Sequence, residues 1–171
     1  QKHTPAIVNL WQHNRTLPSL TLIDWGTKLI SQQENFTIIP NRLPIEEFRA
    51  LQNHCGIHLC PSAAEGFGHY IMEAMSTGAV VLTTDGAPMN EFIFDHRFLI
   101  PCKNFTQYRL GIKYDIISSI MKEKIITLSQ IPLQELEAIG LENRKTYLRI
   151  TSEFHERLKL LLDNTIAELH D

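Results

Sequence analysis

With 171 residues and 43% apolar side chains, the chain has the length of one domain and enough apolar content for a real core. Its formal net charge of −3 argues against a general attraction to nucleic acid or to an anionic membrane, so an anionic ligand must be held locally. Three cysteines, Cys55, Cys60 and Cys102, without Cys-x-x-Cys spacing suit a reduced thiol set better than a disulfide framework, and no run approaches the roughly 18 apolar residues of a membrane span.

The first residue is Gln1 and a helical pattern follows almost at once, with neither a preceding strand nor the charged and apolar regions of a signal peptide, which reads as a piece of a longer protein. Pro5 fits the first turn of a helix running to Gln12 with Ala6, Ile7, Leu10 and Trp11 on its apolar face. Leu20 to Trp25, closed by Gly26, reads as a buried parallel strand, and Thr27 to Gln33 as the helix after it. Phe36 to Ile39 repeats the strand signal, and Ile45 to His54 carries Ile45, Phe48 and Leu51 at helical spacing. Ile57 to Cys60 is a third strand. A glycine-rich turn, a helix from about His69 to Thr77 and a helix-ending Gly78 follow it. Val80 to Thr83 is the fourth strand, a short helix lies near Asn90 to Phe94, and Arg97 to Ile100 is a fifth strand stopped by Pro101.

Beyond Pro101 the pattern predicts helix, with Phe154, Leu158, Leu161, Leu162, Ile166 and Leu169 as an apolar stripe that packs against the domain or against a partner domain. Its polar face mixes Glu153, Glu156, Asp163 and Glu168 with Arg157 and Lys159, unlike a basic lipid-binding face. Alternating strands and helices predict a single α/β domain over residues 1–171. Its sheet is mostly parallel, its core ends at about residue 130, its tail is helical, and its ligand crevice lies beyond the carboxyl ends of the strands.

The segment from Pro61 to Gly78 concentrates the chemistry. Gly66 and Gly68 allow tight backbone geometry and close approach of a ligand to main-chain amides. The turn opens into a helix whose first amides are unpaired and whose dipole favours negative charge, so a diphosphate can be held with few basic side chains. Glu65 precedes the helix and Glu73 lies about one turn inside it, and carboxylates accept paired hydrogen bonds from the vicinal hydroxyls of a hexose or a ribose. Either carboxylate alone reads as a solvated surface group. His69 at the helix start is as readily an exposed side chain as a phosphate contact. His54, Cys55, His58 and Cys60 have poor spacing for zinc, and Cys60 reads as a small core residue.

This segment resembles the Glu-x7-Glu signature of retaining GT-B glycosyltransferases of the group 1 type. The resemblance extends through Ile57 to Ser62 before it, Gly78 to Thr84 after it and Asn90-Glu91 in the next loop, and covers about Leu20 to Phe154. It implies the Rossmann-like C-terminal, donor-binding half of such an enzyme. Glu65 would meet the donor sugar, Gly66, Phe67 and Gly68 would present amides to sugar or diphosphate, and Glu73 would take the ribose hydroxyls. Arg42 and Leu43 fall where the base sits, and Lys2 at the phosphate-binding lysine, although the arginine and the strand that usually precede that lysine do not occur before it here.

The implied reaction moves a hexosyl group from a UDP-, GDP- or ADP-sugar to an acceptor with retained configuration. It needs no metal or other cofactor, and the sequence has no Asp-x-Asp pair. The implied partners are the nucleotide sugar and an N-terminal domain of the same protein, not nucleic acid. The implied location is cytoplasmic, or at the inner membrane surface through that preceding domain, and this piece alone would bind without turning over. A binding module that works alone, or another GT-B enzyme such as a nucleotide-sugar epimerase or a phosphorylase, are the alternatives.

Overall fold

The computed structural model describes residues 2–25 and 32–168. Helix α1 (Thr4–Gln12) carries Pro5 in its first turn and buries Ile7, Val8, Leu10 and Trp11, while Trp11 Nε1 donates to the Pro18 carbonyl at 2.9 Å. Strand β1 (Leu20–Ile23) pairs in parallel with β3 (Phe36–Ile39). Of the helix expected over Thr27 to Gln33, residues 27–31 lie outside the described residues. Gln32 and Gln33 instead form a short strand β2, antiparallel to β3 across the Glu34–Asn35 turn, because that turn returns the chain directly onto its own neighbour.

A second, wholly parallel sheet has the order β4 (Ile57–Cys60), β5 (Val80–Thr84), β6 (Leu99–Ile100). Every residue of the central strand β5 is buried, Val80, Val81 and Leu82 as apolar core and Thr83 and Thr84 with their hydroxyls donating to the Cys60 and Ser62 carbonyls. Helix α2 (Ile45–His54) has the expected limits but no buried residue, so its apolar face lines the surface rather than the core. Helix α3 (His69–Ser76) buries Ile71, Met72, Ala74 and Met75 against the sheet. It ends as a glycine-capped Schellman turn: Gly78 has φ +75°, its amide donates to Met75 at 3.0 Å, and the Ala79 amide reaches Ala74 at 3.3 Å.

Three expectations need correction. The helix near Asn90 to Phe94 is a single 3-10 turn at Met89–Glu91. The strand expected from Arg97 begins only at Leu99, because the Asp95 carboxylate accepts the Arg97 amide at 2.9 Å and its guanidinium, curling His96–Phe98 into another 3-10 turn. The stretch after Pro101, expected to be helical, contains an antiparallel hairpin, β7 (Cys102–Tyr108) and β8 (Gly111–Ile116). The hairpin is largely exposed, so it lacks the one-sided burial that would print a two-residue hydrophobic period, and its turn is Arg109-Leu110, with Arg109 rather than glycine at φ 54°.

Helices α4 (Ser118–Ser129) and α5 (Leu133–Glu168) complete the chain. α5 crosses the Gly78 turn so closely that a Cβ on Gly140 would lie 2.0 Å from the Gly78 carbonyl oxygen, and Asn143 Nδ2 donates to the Ala79 carbonyl at 2.9 Å. Tyr147 and Ile150 still pack on the core. Beyond them the stripe is not covered by the described part of the domain: Phe154 is 60% exposed and Leu158, Leu161 and Leu162 are exposed too, which leaves the partner-domain alternative untouched. The Ile166 side chain and Leu169 lie outside what is described.

Candidate functional site

The turn from Ser62 to Gly68 leaves β4 at its carboxyl end and enters α3. Gly68, at the helix N-cap, has φ +97°, and its carbonyl accepts both the Ile71 amide at 2.9 Å and the Met72 amide at 3.3 Å. The amides of His69 and Tyr70 precede these and have no intrahelical acceptor, so the helix presents its positive end to the turn. The left-handed φ explains the glycine: a side chain there would be strained, although a Cβ would meet Ile71 and Phe92 only at ordinary contact distance. Phe67 projects beside the turn with its ring 5.4 Å from Phe92 and 5.0 Å from His69.

Lys2, at the opposite end of the sequence, reaches this turn. Its neighbour His3 donates its amide to the Pro61 carbonyl at 3.0 Å, and Lys2 bridges to Ser62, which sets the lysine beside Glu65. The Lys2 ammonium pairs with Glu65 Oε1, the fully buried Ser62 hydroxyl donates to the same oxygen, and the lysine Nζ also sits 3.3 Å from the centroid of the Tyr70 ring. Burial pushes the Glu65 carboxyl up, but the hydrogen bonds from Lys2 and Ser62 and the lysine charge outweigh it and hold its pKa below the ordinary carboxylate value. Glu65 is therefore a carboxylate at neutral pH. The Tyr70 hydroxyl donates to the Cys60 carbonyl, and burial raises its pKa, so it stays protonated. Burial likewise raises the Cys60 thiol.

Three hollows that share lining residues border these groups. One of about 530 Å3 is lined by Lys2, Glu65, Gly66, Phe67, Gly68, His69, Tyr70 and Glu73. A second of about 380 Å3 shares Glu73 and adds Ile45, Phe48 and Gln52. A third of about 610 Å3 shares Ile45 and Phe48 and adds Arg42, Leu43 and Trp25. The structure thus brings Lys2, Glu65, the glycine turn and Glu73 into one hollow and sets Arg42 and Leu43 in another, with the half-buried face of α2 between. Glu73 is exposed, and among the described residues its carboxylate meets a long 3.5 Å contact from Gln52 Nε2.

Ser62, Tyr70 and Trp25 were not singled out by sequence. In the sequence Ser62 reads as part of a strand end, and Tyr70 gains its role from a lysine 68 positions away. The sequence pattern places Trp25 at the end of a buried strand, yet β1 stops at Ile23 and Trp25 is 69% exposed at the third hollow. A large aromatic just before a glycine, outside the apolar alternation, was the available signal. His58, by contrast, faces the Gln52 and Cys55 carbonyls at 3.0 and 3.1 Å, and no cluster of three His, Cys, Asp or Glu side chains suited to a metal occurs among the described residues.

The family profile described as Glycosyl transferases group 1 matches residues 28–128, well over half of the chain and all of the segment from Glu65 to Gly78. Among curated proteins, none matches. A chain of the crystal structure of the GtfA/B complex superposes with a TM-score of 0.61 at 21% identity, over 93% of this chain and 32% of that one. This chain therefore spans about a third of that chain's length, and the likeness at that identity concerns the fold. Among the described residues, no helix is long and apolar enough to cross a membrane. The family match, together with an α/β body and long final helix of the kind that forms the C-terminal half of a GT-B fold, establishes that this chain belongs to the glycosyl transferases group 1 family.

Proposed function

We propose that this chain binds the donor of a retaining glycosyltransferase, holding a UDP-, GDP- or ADP-sugar along the trough from Lys2 to Arg42 while a hexosyl group moves to an acceptor. The supporting observation is the single hollow that gathers a lysine, an ionised glutamate, a glycine turn on a helix N-terminus and a second, exposed glutamate. Lys2 and the first amides of α3 take the diphosphate, Glu65 accepts hydrogen bonds from the sugar hydroxyls with Gly66, Phe67 and Gly68 beside it, and Glu73 accepts from the ribose. Arg42 and Leu43 flank the base, with the Trp25 ring available to stack on it.

Negative charge grows on the diphosphate as the glycosidic bond lengthens, and fixed dipoles and a lysine aimed at that charge lower the barrier without a metal ion being required. Glu65, being ionised, orients the sugar and stabilises positive charge on it rather than donating a proton. The acceptor hydroxyl arrives from the side of a preceding domain, so this chain alone binds without turnover. The test is a chemical-shift titration of the chain with UDP-, GDP- and ADP-sugars, repeated with Glu73→Ala. Binding in the millimolar range or tighter that the substitution weakens about tenfold is expected for a lost charged hydrogen-bond pair. Failure of all three donors to bind, or indifference to the substitution, refutes the assignment.

A further inference from the structure

The β7–β8 hairpin is a separate two-stranded ribbon whose chemistry the donor site does not use. Its base is fixed beside that site: the Tyr114 amide donates to the Ala63 carbonyl at 2.7 Å, and His3 Nε2 donates to the Tyr114 carbonyl at 3.1 Å. From Tyr114 the ribbon runs four residues to its apex at Leu110, roughly 13 Å at strand rise.

Between Lys103 and Lys113 there are three cations, Lys103, Arg109 and Lys113, and no carboxylate. Asp115, near the base, brings the whole ribbon from Cys102 to Ile116 to +2, so the ribbon is locally cationic on a chain whose net charge is −3. None of the three forms a salt bridge among the described residues. Among these cations stand exposed apolar groups: Leu110 is fully exposed at the apex, Phe105 is 71% exposed, and Tyr108 and Ile112 are exposed. The Arg109 guanidinium lies 5.5 Å from the Tyr108 ring centroid.

We propose that the tip of this hairpin docks onto an anionic phospholipid surface. Cations interleaved with aromatic and aliphatic side chains match a headgroup layer that offers negative charge above an apolar interior. The backbone sets the depth. A two-stranded ribbon has open edges that hydrocarbon cannot satisfy, so only side chains such as Leu110 enter the acyl boundary while the strands stay at headgroup level. The aliphatic apex favours lipid over nucleic acid, which offers stacking and phosphate contacts but no apolar phase for Leu110 or Ile112.

The experiment is vesicle flotation of the whole chain on phosphatidylcholine alone and on an equal mixture with phosphatidylglycerol, at low salt. Each cation near an anionic surface is worth about fivefold in partition, so the mixed vesicles are expected to bind at least tenfold more protein. Combined Lys103→Gln, Arg109→Gln and Lys113→Gln should abolish that preference, and Leu110→Asp should lower partition on the mixed vesicles about tenfold. Leu110→Trp should bind them more tightly, with a blue shift of tryptophan emission. Equal or absent binding on the two vesicle types overturns the proposal, as does an unshifted emission. Binding to a single-stranded oligonucleotide, lost in the triple variant and without vesicle binding, overturns it in favour of nucleic acid.

Discussion

Lys2 and Glu65 neutralise each other in a setting that leaves each one specific. Ser62 fixes one carboxylate oxygen from a fully buried position, and the Tyr70 ring lies under the ammonium. Ser62→Ala removes one donor, so the Glu65 pKa should rise towards the ordinary value and the fold should lose about 1–2 kcal/mol, read by carboxyl NMR titration and urea unfolding. Because Glu65 titrates below its unfolded value of about 4.3, its contribution is complete above that pH and is lost as pH falls through the lower folded pKa. His3 acts in a different window. Burial depresses its pKa, so the stability it gives is present above about pH 6.5 and declines as pH falls towards its folded value. Glu65→Gln should flatten the acid limb of the stability profile and leave the His3 limb in place; a profile with both limbs unchanged would show that the Lys2–Glu65 pair does not form in solution.

At the scale of elements, the site depends on where α3 starts and where it stops. Gly68 supplies the left-handed N-cap and Gly78 the left-handed exit, and α5 crosses that exit at Gly140. Gly140→Ala forces a methyl group against the Gly78 carbonyl, which must separate α5 from α3, at a cost of about 2–3 kcal/mol in chemical denaturation. A neutral substitution would mean that the two helices do not meet so closely. Sequence carried α3, β3 and β4 well, because their apolar residues match the burial that produces them and because Gly78 marks a helix end by conformation. The close crossing at Gly140 was not legible, since a glycine inside a helix announces only lost propensity until its neighbour is known. Nor was the β7–β8 hairpin, whose exposed strands have no core face to impose an alternation. α2 is the intermediate case: Ile45 and Phe48 gave the helix correctly, but they line the trough between Glu73 and Arg42 rather than the core.

Across the whole molecule, three hollows share Glu73, Ile45 and Phe48 among their lining residues, and the proposed donor trough runs through them. The two glutamates and the glycine turn were legible because they lie within one short segment; Lys2 was placed there by resemblance, and Trp25, which only the fold brings to the far end, was passed over. If the Trp25 ring stacks on the base, Trp25→Ala should weaken a nucleotide sugar about tenfold and change sugar specificity little, as calorimetric titration would show. The most direct measurement is a map of amide and indole chemical shifts as a nucleotide sugar is added. The amides of Gly66, Phe67, Gly68 and His69, the Glu73 region and the Trp25 indole are expected to move together on one isotherm. Shifts confined to another surface, such as the hollow lined by Arg15, Ser19 and Asn35, or two isotherms separating Glu65 from Trp25, would contradict a single donor trough.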